Sequence, residues 1–117
     1  RESAVSPAPL ASMDIRTARG ALVALDAATG RRLWQRTLVS PSFGCATVAR
    51  DVVFTSTFDG WVWAFRARDG KLLWRDRARA GVNGCPAVAG DTLLVGAGTQ
   101  DPSGRTPVRE LVAYRLR

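Results

Sequence analysis

The sequence predicts an all-β fold built from repeated four-stranded antiparallel units. The chain repeats itself at an interval of 40 residues, since segment 24–34 returns as segment 64–74 with a constant offset (64 − 24 = 40). Each period holds four short runs rich in Val, Thr, Phe and Trp, and none is long enough for a helix. Turn pairs such as Asp59-Gly60 and Asp69-Gly70 separate these runs and are strong hairpin signals. Four antiparallel strands in about 40 residues are typical of one blade of a β-propeller.

The strands follow from the repeat in chain order. Two outer strands of a first blade are expected at 21–27 and 32–38. A full blade follows, and its four strands are expected at 45–49, 52–57, 61–67 and 71–77. Three strands of the next blade are expected at 85–89, 92–97 and 110–115. The second-strand runs are apolar at consecutive positions, as in sheets that are covered on both faces.

The sequence therefore predicts a partial β-propeller of about two and a half blades. Its expected parts are a loop at 1–20, the outer half of a blade at 21–38, a complete blade at 43–78 and an incomplete last blade at 85–117. A closed propeller needs at least four blades, so we expect these 117 residues to be a C-terminal fragment of a longer propeller. The last blade should be completed by residues outside the segment or by another chain, because an exposed edge strand invites association.

Composition and motifs exclude several functions for the segment itself. The net charge is +7, but the arginines are scattered along the sequence, so nucleic-acid binding is not expected. No apolar run is long enough to span a membrane. The chain has no His, its two Cys lack Cys-x-x-Cys spacing, and it has no Gly-rich phosphate loop. We therefore expect no catalytic residue and no metal site within this segment.

The pattern Ala-x-Asp-x-x-Thr-Gly-x-x-x-Trp at 24–34, echoed at 64–74, resembles the tryptophan-docking motif of the quinoprotein alcohol dehydrogenase-like (PQQ-binding-like) propellers. The matching positions are Ala24, Asp26, Gly30, Trp34, Ala64, Gly70 and Trp74. In that family the Gly forms the turn between the third and fourth strands, and the Trp packs between adjacent blades. The resemblance thus implies that Trp34 and Trp74 are largely buried. Arg66 replaces the Asp in the second copy, so that turn should be held differently.

A second resemblance concerns the cofactor. Phe43-Gly44-Cys45 stands where the C-terminal blades of dehydrogenases that depend on pyrroloquinoline quinone (PQQ) commonly read Trp-Gly-Gly, a region near the quinone. This implies that Phe43, Gly44 and Asn83 neighbour the cofactor, as an apolar wall, a close backbone approach and an amide hydrogen bond. The alternative, that they are loop residues entering innermost strands, stays open. PQQ and calcium are expected only in the full-length protein, since the family's metal ligands and catalytic Asp come from other blades.

Three functions remain open from the sequence. The resemblance implies the C-terminal segment of an extracytoplasmic PQQ-dependent alcohol or sugar dehydrogenase, which contributes blade packing and one wall of the cofactor funnel. The alternative is a non-enzymatic propeller scaffold that binds a protein or peptide partner through its loop face, as in the propeller lipoprotein of outer-membrane protein assembly. The third is an inactive remnant. Whether the full-length protein is an enzyme stays open at this stage.

The two cysteines stand one period apart, at the start of successive first strands (85 − 45 = 40). First strands are innermost in a propeller, where neighbouring blades converge, and a disulfide requires Cα atoms within about 7 Å. An extracytoplasmic location would permit oxidation. However, equivalent residues on adjacent blades run side by side, and their Cβ vectors need not converge. A Cys45–Cys85 disulfide is therefore a hypothesis that the geometry decides.

Overall fold

The structure, a computed structural model, describes residue 14, residues 16–99 and residues 108–116. This part of the chain contains nine strands and no helix, and therefore no helix that could span a membrane. The strands are β1 Gly20–Leu25, β2 Arg32–Leu38, β3 Thr47–Ala49, β4 Val52–Ser56, β5 Trp61–Arg66, β6 Leu72–Arg77, β7 Ala87–Ala89, β8 Thr92–Ala97 and β9 Glu110–Arg115. They form three antiparallel sheets in chain order: a first sheet β1-β2, a second sheet β3-β4-β5-β6 and a third sheet β7-β8-β9.

The predicted all-β fold and its blade-like sheets are confirmed. The bounds of the other seven strands agree with the expected ones to within two residues. The innermost strands β3 and β7 end where expected, but each begins two residues after the expected 45 and 85. Cys45 and Cys85 therefore lie in the loops that lead into these strands, not in the strands themselves. Most of the expected loop at 1–20 lies outside the described residues.

Strand β5 supplies side chains to two separate cores because residues alternate between the faces of a sheet. Trp63 and Phe65 point towards the first sheet, where they join Trp34, Leu38 and Val53 in one cluster. Val62 and Ala64 point towards the third sheet and pack in a second cluster that includes Leu93 and Val95. The middle sheet is thus covered on both faces, as the consecutive apolar residues predict.

The first docking motif packs as the resemblance implies. Trp34 is buried, with 9% of its surface exposed, and its indole Nε1 donates a hydrogen bond to the Ala67 carbonyl at 2.7 Å. The indole lies so close to Gly70 that a Cβ there would stand 2.6 Å from a ring carbon. The Trp34 and Phe65 ring centroids are 6.4 Å apart. This tryptophan therefore fastens the first sheet to the 66–70 turn of the second.

The expectation that Trp74 is also buried is wrong, because 36% of its surface is exposed. It makes an edge-to-face contact with Tyr114, with ring centroids 4.8 Å apart. In the turn that covers Trp34, the Ala67 N–H donates a hydrogen bond to the Asp51 carbonyl at 2.8 Å. The equivalent residue of the third sheet is Leu116, whose N–H donates to the Asp91 carbonyl at 2.6 Å. Within the described residues, no turn covers Trp74 as the 66–70 turn covers Trp34.

The two copies of the turn are closed by different side chains. In the first, Asp26 Oδ1 accepts hydrogen bonds from the N–H groups of Ala28 and Thr29 at 2.9 and 3.0 Å. In the second, Asp69 Oδ1 accepts from the Lys71 N–H at 3.0 Å, and the Asp69 carboxylate pairs with Arg66 at 2.6 Å. The hydrogen bond from Arg66, followed by that from Lys71, holds the pKa of Asp69 below its ordinary value. The replacement of Asp by Arg thus moves the closing carboxylate three residues along the chain (69 − 66 = 3) without changing the turn.

Candidate functional site

The two loops that lead into β3 and β7 meet and form the candidate site. Cys45 and Cys85 are joined by a disulfide, and their Cα atoms are 4.8 Å apart. Both cysteines are exposed. Two further side chains link the second sheet to the loop before β7. Thr47 donates a hydrogen bond to the Pro86 carbonyl, and Ser56 donates one to the Gly84 carbonyl at 3.3 Å. The loop that leads into β7 is thus held to the loop before β3 by one covalent bond, and to strands β3 and β4 by two hydrogen bonds.

Gly44 allows this close approach of the loops. A Cβ at Gly44 would overlap the carbonyl oxygen of Gly84, whereas one at Gly84 would meet nothing within 4 Å. The absence of a side chain at Gly44 is therefore required by contact between the two loops. Its predicted close approach to a cofactor stays a prediction.

The other two predicted cofactor neighbours lie on adjacent loops at equivalent positions of the repeat (83 − 43 = 40). Phe43 is 39% exposed and makes an edge-to-face contact with Phe58, with ring centroids 5.5 Å apart. Asn83 is exposed, and its side-chain amide has no hydrogen-bond partner within the described part of the chain. The arrangement offers a ligand an aromatic surface and an amide that can donate and accept.

Within the described residues, no three His, Cys, Asp or Glu side chains lie close enough together to hold a metal ion. The chemistry that these two loops offer a ligand is therefore contact, orientation and hydrogen bonding. Their role as cofactor neighbours remains a proposal.

A second polar cluster joins the outer parts of the second and third sheets. The Tyr114 hydroxyl donates a hydrogen bond to Asp76 Oδ2 at 2.8 Å, and Arg79 pairs with Glu110 at 3.1 Å. Burial, then the hydrogen bond to Asp76, raises the pKa of Tyr114 above its ordinary value. The backbone N–H of Arg79, then its side chain, lowers the pKa of Glu110. Beside this cluster, a cavity of about 370 Å³ is lined by Phe54, Leu73, Trp74 and Tyr114, among others.

Sequence reasoning missed a third feature, a stack of arginine on tryptophan at the outer edge of the second sheet. The Arg75 guanidinium carbon lies 4.7 Å from the centre of the Trp61 ring and 5.6 Å from that of Trp63. Arg77 lies 5.7 Å from the Trp61 ring. The signal was present in the sequence, since Trp-x-Trp and Arg-x-Arg stand on the two strands of one hairpin and pair across it.

The three sheets and their docking motif define this chain as a segment of a PQQ-like β-propeller. The sequence profile of the family described as "Outer membrane protein assembly factor BamB" matches residues 10–115. The chain belongs to this family of PQQ-like propeller repeats.

Curated proteins with similar sequences are quinoprotein-type dehydrogenases. The 1-butanol dehydrogenase (cytochrome c) of Thauera butanivorans is 39% identical over 85 residues, which cover 72% of this chain and 12% of that protein. The quinoprotein alcohol dehydrogenase PedH of Pseudomonas putida is 34% identical over 70 residues, which cover 59% of this chain and 12% of that protein. The chain thus spans about one eighth of the length of these relatives.

Solved structures show the same fold. The quinohemoprotein alcohol dehydrogenase ADHIIG from Pseudomonas putida HK5 matches with a TM-score of 0.69 and 27% identity, over 84% of this chain and 17% of that chain. BamB from Moraxella catarrhalis matches with a TM-score of 0.61 and 27% identity, over 82% and 30%. A europium-containing methanol dehydrogenase matches with a TM-score of 0.70 over 82% and 23%, and at 23% identity this likeness concerns the fold alone.

Proposed function

We propose that the chain is the C-terminal segment of an extracytoplasmic propeller of the PQQ-dependent dehydrogenase type, and that it contributes blade packing and one wall of the cofactor funnel. The observation that carries this proposal is the joined pair of loops that presents Phe43 on one side and Asn83 on the other. A disulfide fixes these loops relative to one another. A disulfide-joined pair of loops with an exposed ring, and with an amide that has no hydrogen-bond partner among the described residues, is suited to hold a planar, polar-edged ligand.

The side chains of Phe43 and Asn83 offer a quinone cofactor two kinds of contact. Phe43 can contact an apolar ring face, and the Asn83 amide can hydrogen-bond a carbonyl or carboxylate at the rim of a ring. When bound, PQQ accepts the electrons that are removed from an alcohol. Calcium and the acid–base groups would be supplied by other blades of the full-length protein, and this segment would orient one side of the cofactor.

Two further observations support location and substrate class. A disulfide between exposed cysteines is typical of proteins from oxidising compartments, which supports an extracytoplasmic location. The names of the similar curated proteins include butanol, ethanol and methanol dehydrogenases, which supports a short-chain alcohol as substrate of the full-length protein. Among the described strands only β8 pairs with β9, and the other edge of β9 would pair with a strand from the remaining blades.

The test measures quinone affinity in the full-length protein. PQQ is titrated in the presence of calcium against the unmodified protein and a Phe43→Ala/Asn83→Ala variant, followed by quenching of tryptophan fluorescence. We expect affinity to fall about tenfold or more in the variant, which corresponds to about 1.4 kcal/mol or more. A Leu33→Ala/Gln35→Ala variant, altered at two exposed positions of β2, is the control and should bind normally. Unchanged affinity in the Phe43/Asn83 variant would remove these residues from the site.

The second candidate is a non-enzymatic scaffold that binds a protein or peptide through the same loop face. It is favoured by the family profile, whose description is that of an assembly factor, and by the likeness to the Moraxella catarrhalis protein. Dye-linked dehydrogenase assays with PQQ, calcium and short alcohols separate the two candidates. Saturable quinone binding with turnover supports the enzyme, while absence of both supports the scaffold.

A further inference from the structure

Beyond the proposed function, the outer edge of the second sheet carries a second candidate binding surface. Trp61 and Trp63 on β5 and Arg75 and Arg77 on β6 form what we call the arginine–tryptophan platform. Trp61 stands opposite Arg77, and Trp63 opposite Arg75, so all four side chains share one face of the hairpin. The Arg75 guanidinium lies over both tryptophan rings, and that of Arg77 lies over the Trp61 ring. Cation–π contacts hold both guanidinium groups in place on the sheet.

The two arginines retain unused hydrogen-bond donors. Arg77 Nε donates to the Asp59 carbonyl at 3.1 Å, and neither Arg75 nor Arg77 forms an ion pair within the described part of the chain. Asp76 lies between them in sequence but faces the third sheet, where it accepts a hydrogen bond from Tyr114. A guanidinium has five N–H donors in a fixed plane. Two such groups, held on the tryptophan rings and without a carboxylate partner among the described residues, present concentrated positive charge at this edge.

The internal repeat shows that the fold does not require this platform. The equivalent positions of the first sheet, 40 residues earlier, carry no tryptophan and no arginine; they are Ala21, Val23, Gln35 and Thr37. The third-sheet positions that correspond to the tryptophans, 49 residues later, are Glu110 and Val112. The first and third sheets nevertheless form regular strands at these positions. The platform is therefore a departure of one blade from the repeat.

The platform borders an open sheet edge. β6 is the last strand of the second sheet, all six of its residues are exposed, and no strand of the described residues pairs with its outer side. An edge strand offers a row of backbone N–H and C=O groups to an added strand. Side chains two residues apart on an added strand share one face, as Arg75 and Arg77 do. Carboxylates at those two positions would form charge-assisted hydrogen bonds with the guanidinium groups.

We propose that the outer edge of β6 binds an extended acidic segment of a partner protein, in which two carboxylate side chains stand two residues apart and pair with Arg75 and Arg77. Charge complementarity selects this occupant over an apolar one. A protein segment is favoured over a single-stranded nucleic acid, because base stacking needs open aromatic faces. Here Trp63 is buried and guanidinium groups cover Trp61.

The test uses the full-length protein and two peptides of identical composition. Thr-Glu-Val-Glu-Val-Thr places both carboxylates on one face of a strand, and Thr-Glu-Glu-Val-Val-Thr places them on opposite faces. We expect isothermal titration calorimetry at low salt to give about tenfold tighter binding of the first peptide, a difference that high salt reduces. Equal affinities, or binding of neither peptide, would overturn the proposal. A short oligodeoxythymidine that binds more tightly than the first peptide would assign the surface to nucleic acid instead.

A variant with the first-sheet residues at these positions, Arg75→Gln/Arg77→Thr, should lose the preference between the two peptides. Arg75→Lys/Arg77→Lys should keep part of it, because the charge remains while the planar fork is lost. Unfolding curves and circular dichroism verify that both variants fold. A folded Arg75→Gln/Arg77→Thr variant with an undiminished preference would overturn the proposal. If that variant does not fold, the peptide comparison on the unmodified protein decides.

Discussion

Replacing Gly70 by Ala tests the docking contact between the first and second sheets, and Gly30→Ala is its matched control. Both glycines close equivalent turns, with φ of 73° and 72°. An alanine at either position must adopt the same left-handed conformation, which costs about 1–2 kcal/mol. The surroundings differ, since a Cβ at Gly30 meets nothing within 4 Å, whereas one at Gly70 lies 2.6 and 2.7 Å from two ring carbons of Trp34.

The indole has little room to move away from an alanine at Gly70. It is buried against Phe65, and its Nε1 is bound to the Ala67 carbonyl at 2.7 Å. Forcing an extra methyl group into such packing costs about 1–3 kcal/mol beyond the backbone term. Gly70→Ala should therefore lower the free energy of unfolding by about 1–3 kcal/mol more than Gly30→Ala does. Urea unfolding followed by circular dichroism measures both variants, and equal losses would refute docking of Trp34 on this turn.

The remaining predictions concern stability. Trp34→Ala should lower the free energy of unfolding by about 3–5 kcal/mol, and Trp74→Ala by less, because more of its surface is exposed; urea titrations that give the reverse order would contradict the docking assignment. Reduction of the Cys45–Cys85 bridge, which spans 40 residues, should cost about 4 kcal/mol by loop entropy, and reductant should leave the melting temperature of a Cys45→Ser variant unchanged. If reductant does not affect the unmodified chain, the disulfide does not stabilise it. The folded-state pKa of Asp69 lies below its unfolded value. The contribution of the ionised Asp69 carboxylate to the free energy of unfolding is therefore present above about pH 4 and is lost as the pH falls. Asp69→Asn should therefore flatten the acid side of the stability–pH curve, and an unaltered acid side would contradict this.

The strands could be predicted from the sequence because their signals are local. Runs of β-forming residues recur every 40 residues, as do the turn glycines, Gly20 with Gly60 and Gly30 with Gly70, and each hairpin was predicted from a few neighbouring side chains. The innermost strands were predicted two residues too long at 45–46 and 85–86. Cys45, Ala46 and Cys85 are apolar or small, as in a strand, whereas Pro86 has no N–H to donate to a strand ladder. The disulfide and the Gly44–Gly84 contact hold these residues in loops. These contacts join loops that are 40 residues apart, so no local pattern indicates them.

The surroundings of individual side chains were harder to predict. Trp34 and Trp74 occupy equivalent positions, yet their exposure differs because only Trp34 has the next sheet's turn over it in the described residues. The close approach of Gly44 to Gly84 was not predicted, and the expected approach of Gly44 to a cofactor stays a prediction. The arginine–tryptophan platform was missed because cross-strand pairing depends on the register of the hairpin, which a bulge between Ala64 and Phe65 shifts.

We propose that the disulfide-joined loops form one wall of a quinone site. The most direct measurement is a crystal structure of the full-length protein grown with PQQ and calcium. We expect the quinone beside these loops, with the Phe43 ring in van der Waals contact and the Asn83 amide within hydrogen-bond distance of a quinone oxygen. A quinone that is bound elsewhere and touches neither side chain would contradict the claim.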